Sequence, residues 1–196
     1  ATIISLPGWL KKDTSVHQPV KKEMINNMAF ITGMEMNSEV PFGDKEIMID
    51  YLKDLSFFTC SKSLSLLIKS HKLLDWHKEY DDFSERFQCV KHVKERWNQQ
   101  DIGQIDLGIL AVTESTLALQ LLRLGIPVIT CAEILPEIWT KHFSAPHLQF
   151  TVNSKKELLE LLDRLLQDRS FYLKAQEEAF LIFNSFIYGF NNNSNL

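Results

Sequence analysis

Thr113, Glu114, Ser115 and Thr116 make a polar break inside an otherwise apolar stretch, DLGILAVTESTLALQLLRLGIPVIT, at residues 106–130. Three of the four carry hydroxyls, which donate hydrogen bonds to anions. A turn that closes a strand and opens a helix also presents unpaired backbone N–H groups and the positive end of the helix dipole. Such a place suits a phosphate. A hydroxyl that merely caps the helix would leave the same trace, so both readings stand on this stretch alone. His71 follows a second apolar run, SLSLLIK at 63–69, and Ser70. An imidazole at a strand's carboxyl end can donate to a phosphate or to a developing charge. Gly33 closes a third run, MAFITG, and permits a tight turn or a close approach of backbone to a ligand. Glu133 lies just beyond another strand end and reads as a further crevice group or as a surface carboxylate.

These groups need elements to hold them. Residues 105–112 read as a buried strand and 117–124 have helical spacing that stops at Gly125. Pro127 follows, and 128–130 begin another strand, which completes a βαβ unit. Upstream, 28–33 read as the first buried strand, 34–43 as a loop, and Asp44 as the cap of a helix over 45–55. Residues 63–69 form the next strand, 72–88 a charged surface helix or long ordered loop, and 89–90 a very short strand. A helix or turn over 92–100 leads through an approach loop, 101–104, into the central unit. Helical spacing recurs around 134–139, and 148–152 read as a final or edge strand. Ser154 and Glu157 form a capping box for a helix reaching about Asp168. A last helix, 170–188, is rich in aromatics, which core packing explains for the most part. Strands alternating with helices give an α/β chain, a Rossmann-like three-layer sandwich with a mostly parallel sheet of about five strands. Right-handed crossovers put Gly33, His71 and the 113–116 turn along one edge.

Composition bounds the rest. A length of 196 residues suits one domain with appendages, and 45% hydrophobic content can build its core. We divide the chain into an N-terminal arm or linker (1–24), a Rossmann-like domain (25–190) and a disordered tail (191–196). A net charge of −4 offers no reason to expect nucleic acid as a partner. Cys60, Cys89 and Cys131, odd in number and without a CxxC pair, read as reduced thiols in a cytoplasmic setting. The carboxylates at 81, 82 and 85 lack the spacing of a calcium loop and read as a solvated acidic face, so no metal site is expected. No apolar run approaches the ~20 residues of a transmembrane helix.

The order of these elements resembles the carboxyl-terminal, donor-binding half of a GT-B-type glycosyltransferase, over most of residues 25–188. LLIKSH, ending at His71, is similar to the strand and histidine that capsule- and teichoic-acid-type transferases show as a His-Pro pair; Lys72 stands in the proline's place. Thr113, Ser115 and Thr116 match the Ser/Thr turn on the nucleotide phosphates. Gln120 stands where several relatives carry a ribose-holding glutamate, and it can give and take one hydrogen bond without a charge. The ending VNSKKELLELLDRLLQDRSFYLKAQEE resembles the closing helices of these domains.

The resemblance implies a nucleotide-sugar donor held by Gly33, His71, Thr113, Glu114, Ser115, Thr116 and Gln120. The sugar would pass to a glycan or other acceptor in surface polysaccharide biosynthesis, in the cytoplasm or peripheral to the membrane. It implies no cofactor, since the nucleotide sugar is itself substrate. It also implies an N-terminal acceptor domain or partner chain that this sequence lacks and that would hold the catalytic base. Two alternatives stay open: a non-catalytic Rossmann-like interaction module, and a nucleotide-sugar epimerase domain. A dinucleotide-binding oxidoreductase is disfavoured because no GxGxxG follows the first strand. A serine hydrolase is disfavoured because Ser115 lacks the flanking glycines of a nucleophile elbow.

Overall fold

The computed structural model describes residues 21–32, 45–70, 77–95, 97–111, 116–134 and 149–193, with side chains as far as 185. The strands are β1 (Asn27–Thr32), β2 (Ser65–Lys69), β3 (Val90–Val93), β4 (Leu107–Ala111), β5 (Val128–Cys131) and β6 (Phe150–Val152). The helices are α1 (Lys45–Ser61), α2 (His77–Arg86), α3 (Gln99–Gly103), α4 (Thr116–Arg123), α5 (Lys155–Gln167) and α6 (Arg169–Asn193). A single turn of 3-10 helix, Ala132–Ile134, follows β5.

Every strand pair is parallel, in the order β3-β2-β1-β4-β5-β6. Strands buried on both faces must be apolar throughout rather than alternating. LGILA in β4 and VITC in β5 are buried at every position. Alternate residues of β1 supply two different cores. Met28 and Phe30 pack with Tyr51 and Leu55 of α1, Tyr80 of α2, and Leu158 and Leu162 of α5. Ala29 and Ile31 pack with Ile102 of α3, Ala118 and Leu121 of α4, and Ala179 and Phe183 of α6. Helices therefore cover both faces, and the α/β, three-layer expectation holds, with six strands.

Local chemistry explains most boundaries. Asn98 accepts from the amides of Gln100 and Asp101 while the Asp101 carboxylate accepts from Asn98 N at 2.8 Å, so α3 opens on a capping box. Residues 101–104, expected as an approach loop, therefore belong mostly to a short helix. Helix α4 stops where expected: Gly125 adopts φ 72° and Ile126 N–H bonds Leu121 O at 2.9 Å. Ser154 caps α5 by accepting from Glu157 N, but the Glu157 carboxylate accepts from Asn153 N rather than completing the box. Helix α1 runs past the expected end at 55 because no breaker intervenes before Ser63, which takes a left-handed φ of 56°.

One expectation is corrected outright. Cys60 and Cys89, expected as free thiols, are joined in a disulfide with Cα atoms 5.5 Å apart; Cys131 alone is free, and it is buried. Parallel packing brings the end of α1 beside the start of β3, a proximity that a separation of 29 residues conceals. At the amino edge of the sheet, the Asp106 carboxylate accepts from Lys22 Nζ at 2.6 Å and from the amides of Asn26 and Asn27, each at 2.8 Å. Tyr172 of α6 donates to Asp106 O, and Gln176 pairs with both backbone groups of Lys22. Among the described residues, no helix is long and apolar enough to cross a membrane.

Candidate functional site

The chain leaves β1 through α1 to reach β2 on one side, and leaves β4 through α4 to reach β5 on the other. The carboxyl ends of β1 and β4 therefore flank the point where the winding reverses, and Thr32 of β1 registers with Ala111 of β4. Open parallel sheets bind ligands in the crevice at such a point. Thr116 begins α4 five positions after Ala111, so the free N–H groups and dipole of that helix open on this edge. Gln120 lies one turn further along α4 and is half-buried. Thr116 and Gln120 thus share one helix at the switch point. Gly33, His71, Thr113, Glu114 and Ser115 lie outside the described residues; their chain neighbours Thr32, Ser70 and Thr116 all stand at this carboxyl edge.

The neighbouring strand ends carry polar groups as well. Thr32 Oγ1 donates to Lys69 O at 3.4 Å, and Lys69 Nζ donates to Ser70 O at 2.5 Å. Burial holds the Lys69 ammonium below its ordinary range. Beyond β5, the exposed Glu133 accepts from the buried Tyr51 hydroxyl at 2.7 Å. Burial first, and then this hydrogen bond, push the Tyr51 phenol far above its usual value, so it stays a donor.

Between the sheet and α2 lies a cluster that sequence reasoning missed. Ser70 Oγ is 2.7 Å from His92 Nε2, and His92 Nδ1 is 2.8 Å from Asp81 Oδ1. Asp81 Oδ2 accepts from Lys94 Nζ at 2.7 Å. His77 Nδ1 approaches Ser70 Oγ at 3.3 Å, and Ser84 Oγ accepts from His92 N at 2.7 Å. Desolvation lowers the His92 pKa below 6.5, with Asp81 opposing it. Lys94 and then His92 hold the Asp81 carboxyl below its usual range. Asp81 is thus an ion-pair partner rather than part of a merely solvated acidic face. His92 lies in β3, where a helix or turn was expected.

No family model matches the chain, and no curated protein matches it in sequence. Solved structures do resemble it. Anabaena HepE, solved in complex with UDP-glucose, has a TM-score of 0.55 at 16% identity, covering 82% of this chain and 44% of that one. TarM has a TM-score of 0.59 at 9% identity, covering 91% and 37%. A UDP-GlcNAc 2-epimerase from Neisseria meningitidis, bound to UDP-GlcNAc, has a TM-score of 0.54 at 10% identity, covering 86% and 44%. This chain spans less than half the length of each of these three. At such identities the likeness is one of fold: the six-stranded parallel sheet and its helices match a Rossmann-like half of GT-B glycosyltransferases such as HepE and TarM.

Proposed function

We propose that this chain is the donor-binding half of a nucleotide-sugar-dependent glycosyltransferase. The observation that carries the reading is the start of α4 at the switch point of the sheet, with Thr116 in its first turn and Gln120 one turn on. The leaving group of glycosyl transfer is a nucleoside phosphate, which gains negative charge as the glycosidic bond breaks. Donors that meet that charge more strongly in the transition state than in the ground state accelerate the step. In this reading the N–H groups of α4 and the hydroxyls of Thr113, Ser115 and Thr116 face the phosphates, beside Glu114. His71 donates from the end of β2, Gly33 lets the backbone approach, and Gln120 bonds the ribose. The nucleotide sugar is substrate, and no resident cofactor is assigned. The acceptor, a glycan of a surface polysaccharide, and the general base belong to a further domain or partner chain. The Cys60–Cys89 disulfide weighs against a reducing cytoplasm, so this reading assigns the reaction no compartment. The likeness to the epimerase supports a second reading, a nucleotide-sugar epimerase domain, at the same crevice.

A thermal-shift series with CMP, CDP, UDP and GDP tests the site, since a ligand that binds the native state adds stability by mass action, about 2.7 kcal/mol at 100 times Kd, and so raises Tm. One nucleotide is expected to shift wild type. Ser115→Ala with Thr116→Ala should weaken its affinity about tenfold or more, because hydrogen bonds to charged groups contribute about 1.5–3 kcal/mol each. Unchanged affinity in the double variant would remove the turn from the site. No shift for any nucleotide at millimolar concentration would favour the non-catalytic module. Conversion of UDP-GlcNAc to its 2-epimer, absent an acceptor, would favour the second reading.

A further inference from the structure

The parallel register lines up one row of residues across the carboxyl half of the sheet. Lys69 of β2 pairs with Ile31 of β1, Ile31 with Leu110 of β4, and Leu110 with Thr130 of β5. Residues in register on parallel strands stand on the same face. Ile31 and Leu110 belong to the core packed against α3, α4 and α6, so the row lies on that face. Leu66 and Ile68 of β2 belong to the opposite core, which sets Lys69 apart from α1. A Cβ at Gly108 would touch Leu121 of α4 and Val128 of β5. Leu110 and Thr130 stand two residues further along those strands, about 7 Å, which is roughly the rise of four to five helical residues. Because α4 runs back against the strands, the row passes beneath its first turn.

Two polar groups on this row lack the partners that such places demand. Thr130 is 1% exposed, and its hydroxyl has no hydrogen-bond partner among the described residues. Buried hydroxyls are nearly always bonded. Lys69 is half-buried, and its ammonium donates to Ser70 O at 2.5 Å, which uses one of three donors. Among the described residues, no carboxylate pairs with it. By contrast Lys22, whose side chain is 17% exposed, has Asp106 at 2.6 Å. Burial lowers the Lys69 pKa, and Glu95 opposes this only from beyond ion-pair distance. A cation withdrawn from water without a counter-charge is costly, and an anion above the row offsets that cost.

We infer that Lys69 is a phosphate-binding residue of this crevice, and that its ligand is a nucleoside diphosphate held between the Lys69 ammonium and the first turn of α4. The inference rests on the donor-binding reading and narrows it to donors with two phosphates. Strands β2 and β4 lie two strand spacings apart, about 10 Å. A flexible lysine stem and a diphosphate span that gap together, whereas a single phosphate meets only one side of it. Helix N–H groups and hydroxyls supply partial charges; the ammonium supplies a full one.

The test is the affinity of the full chain for UDP, GDP and CDP, each beside its monophosphate, at pH 7.5. Wild type should bind one diphosphate about tenfold or more tightly than the matching monophosphate, the scale of a charge-assisted hydrogen bond. Lys69→Met should erase most of that advantage and Lys69→Arg should keep it, with both folds checked by thermal melting. Should Lys69→Met fail to fold, wild type decides: the diphosphate should slow acetylation of Lys69 by acetic anhydride, read by peptide mass spectrometry, and leave the exposed Lys53 unaffected. Equal affinity for di- and monophosphate, an advantage that survives in Lys69→Met, or an unchanged acetylation rate overturns the role of Lys69 and leaves the donor reading intact. Absence of binding by every nucleotide overturns the donor reading, and the role of Lys69 falls with it.

Discussion

His92 has a burden independent of any ligand. Its imidazole is buried and its pKa lowered below the 6.5 of an unfolded histidine, chiefly by desolvation. Between those two values the unfolded chain binds the proton and the folded chain does not, so stability must fall as pH drops below about 6.5 and level off once the folded form is charged. Asp81, whose pKa is lowered chiefly by Lys94, gives a separate loss of stability as the pH falls through the carboxylate range. Urea midpoints for wild type and His92→Gln between pH 7.5 and pH 5 are expected to converge as the pH falls; parallel curves would mean that His92 is not held neutral. This residue shows where the sequence was silent. The helix that carries Gln120 was legible from spacing, whereas Thr116, read as the end of the preceding turn, opens that helix. Ser70 and His92 are 22 positions apart, His92 and Asp81 are 11 apart, and only the pairing of β2 with β3 under α2 brings the three together.

Helix α4 owes its position over β4 to an absence of bulk. A Cβ added at Gly108 would lie 2.6 Å from Leu121 Cδ1 and 3.6 Å from Val128 Cγ2. Leu121 is fully buried, so its methyl has little room to retreat. Gly108→Ala is expected to lower stability by about 1–3 kcal/mol, the usual cost of overpacking, and to lower Tm accordingly. Because the added carbon pushes on the helix that carries Thr116 and Gln120, nucleotide affinity should weaken too. A variant as stable as wild type would show that α4 can shift freely. Elements with punctuation were readable in advance: Gly125 ends α4 and Ser154 opens α5. Those without it were not. Helix α1 outran its expected end, and β3, expected only as a very short strand at 89–90, runs on to Val93.

At the scale of the whole molecule, the alternation of strand and helix was enough to reach a parallel α/β sandwich, and a sheet of this kind allows few topologies. The disulfide was not readable, since an odd number of cysteines and a cytoplasmic expectation both pointed away from it. Joining Cys60 to Cys89 restricts the unfolded chain over a 29-residue separation, which the loop-entropy relation converts to about 3–4 kcal/mol. Reduction, or Cys60→Ser with Cys89→Ser, should lower the stability measured in urea by that order; an unchanged midpoint under reductant would show that the bond contributes nothing to folding. The strand order sets a further condition, on time. Strand β1 lies at the centre of the sheet, yet Asn27 and its partner Asp106 at the start of β4 are 79 residues apart. A ribosome adding about 5–20 residues per second needs roughly 4–16 s to cover that gap. Throughout that interval the nascent chain can pair β1 with β2 but leaves the other edge of an almost wholly apolar strand open, a template for the wrong neighbour.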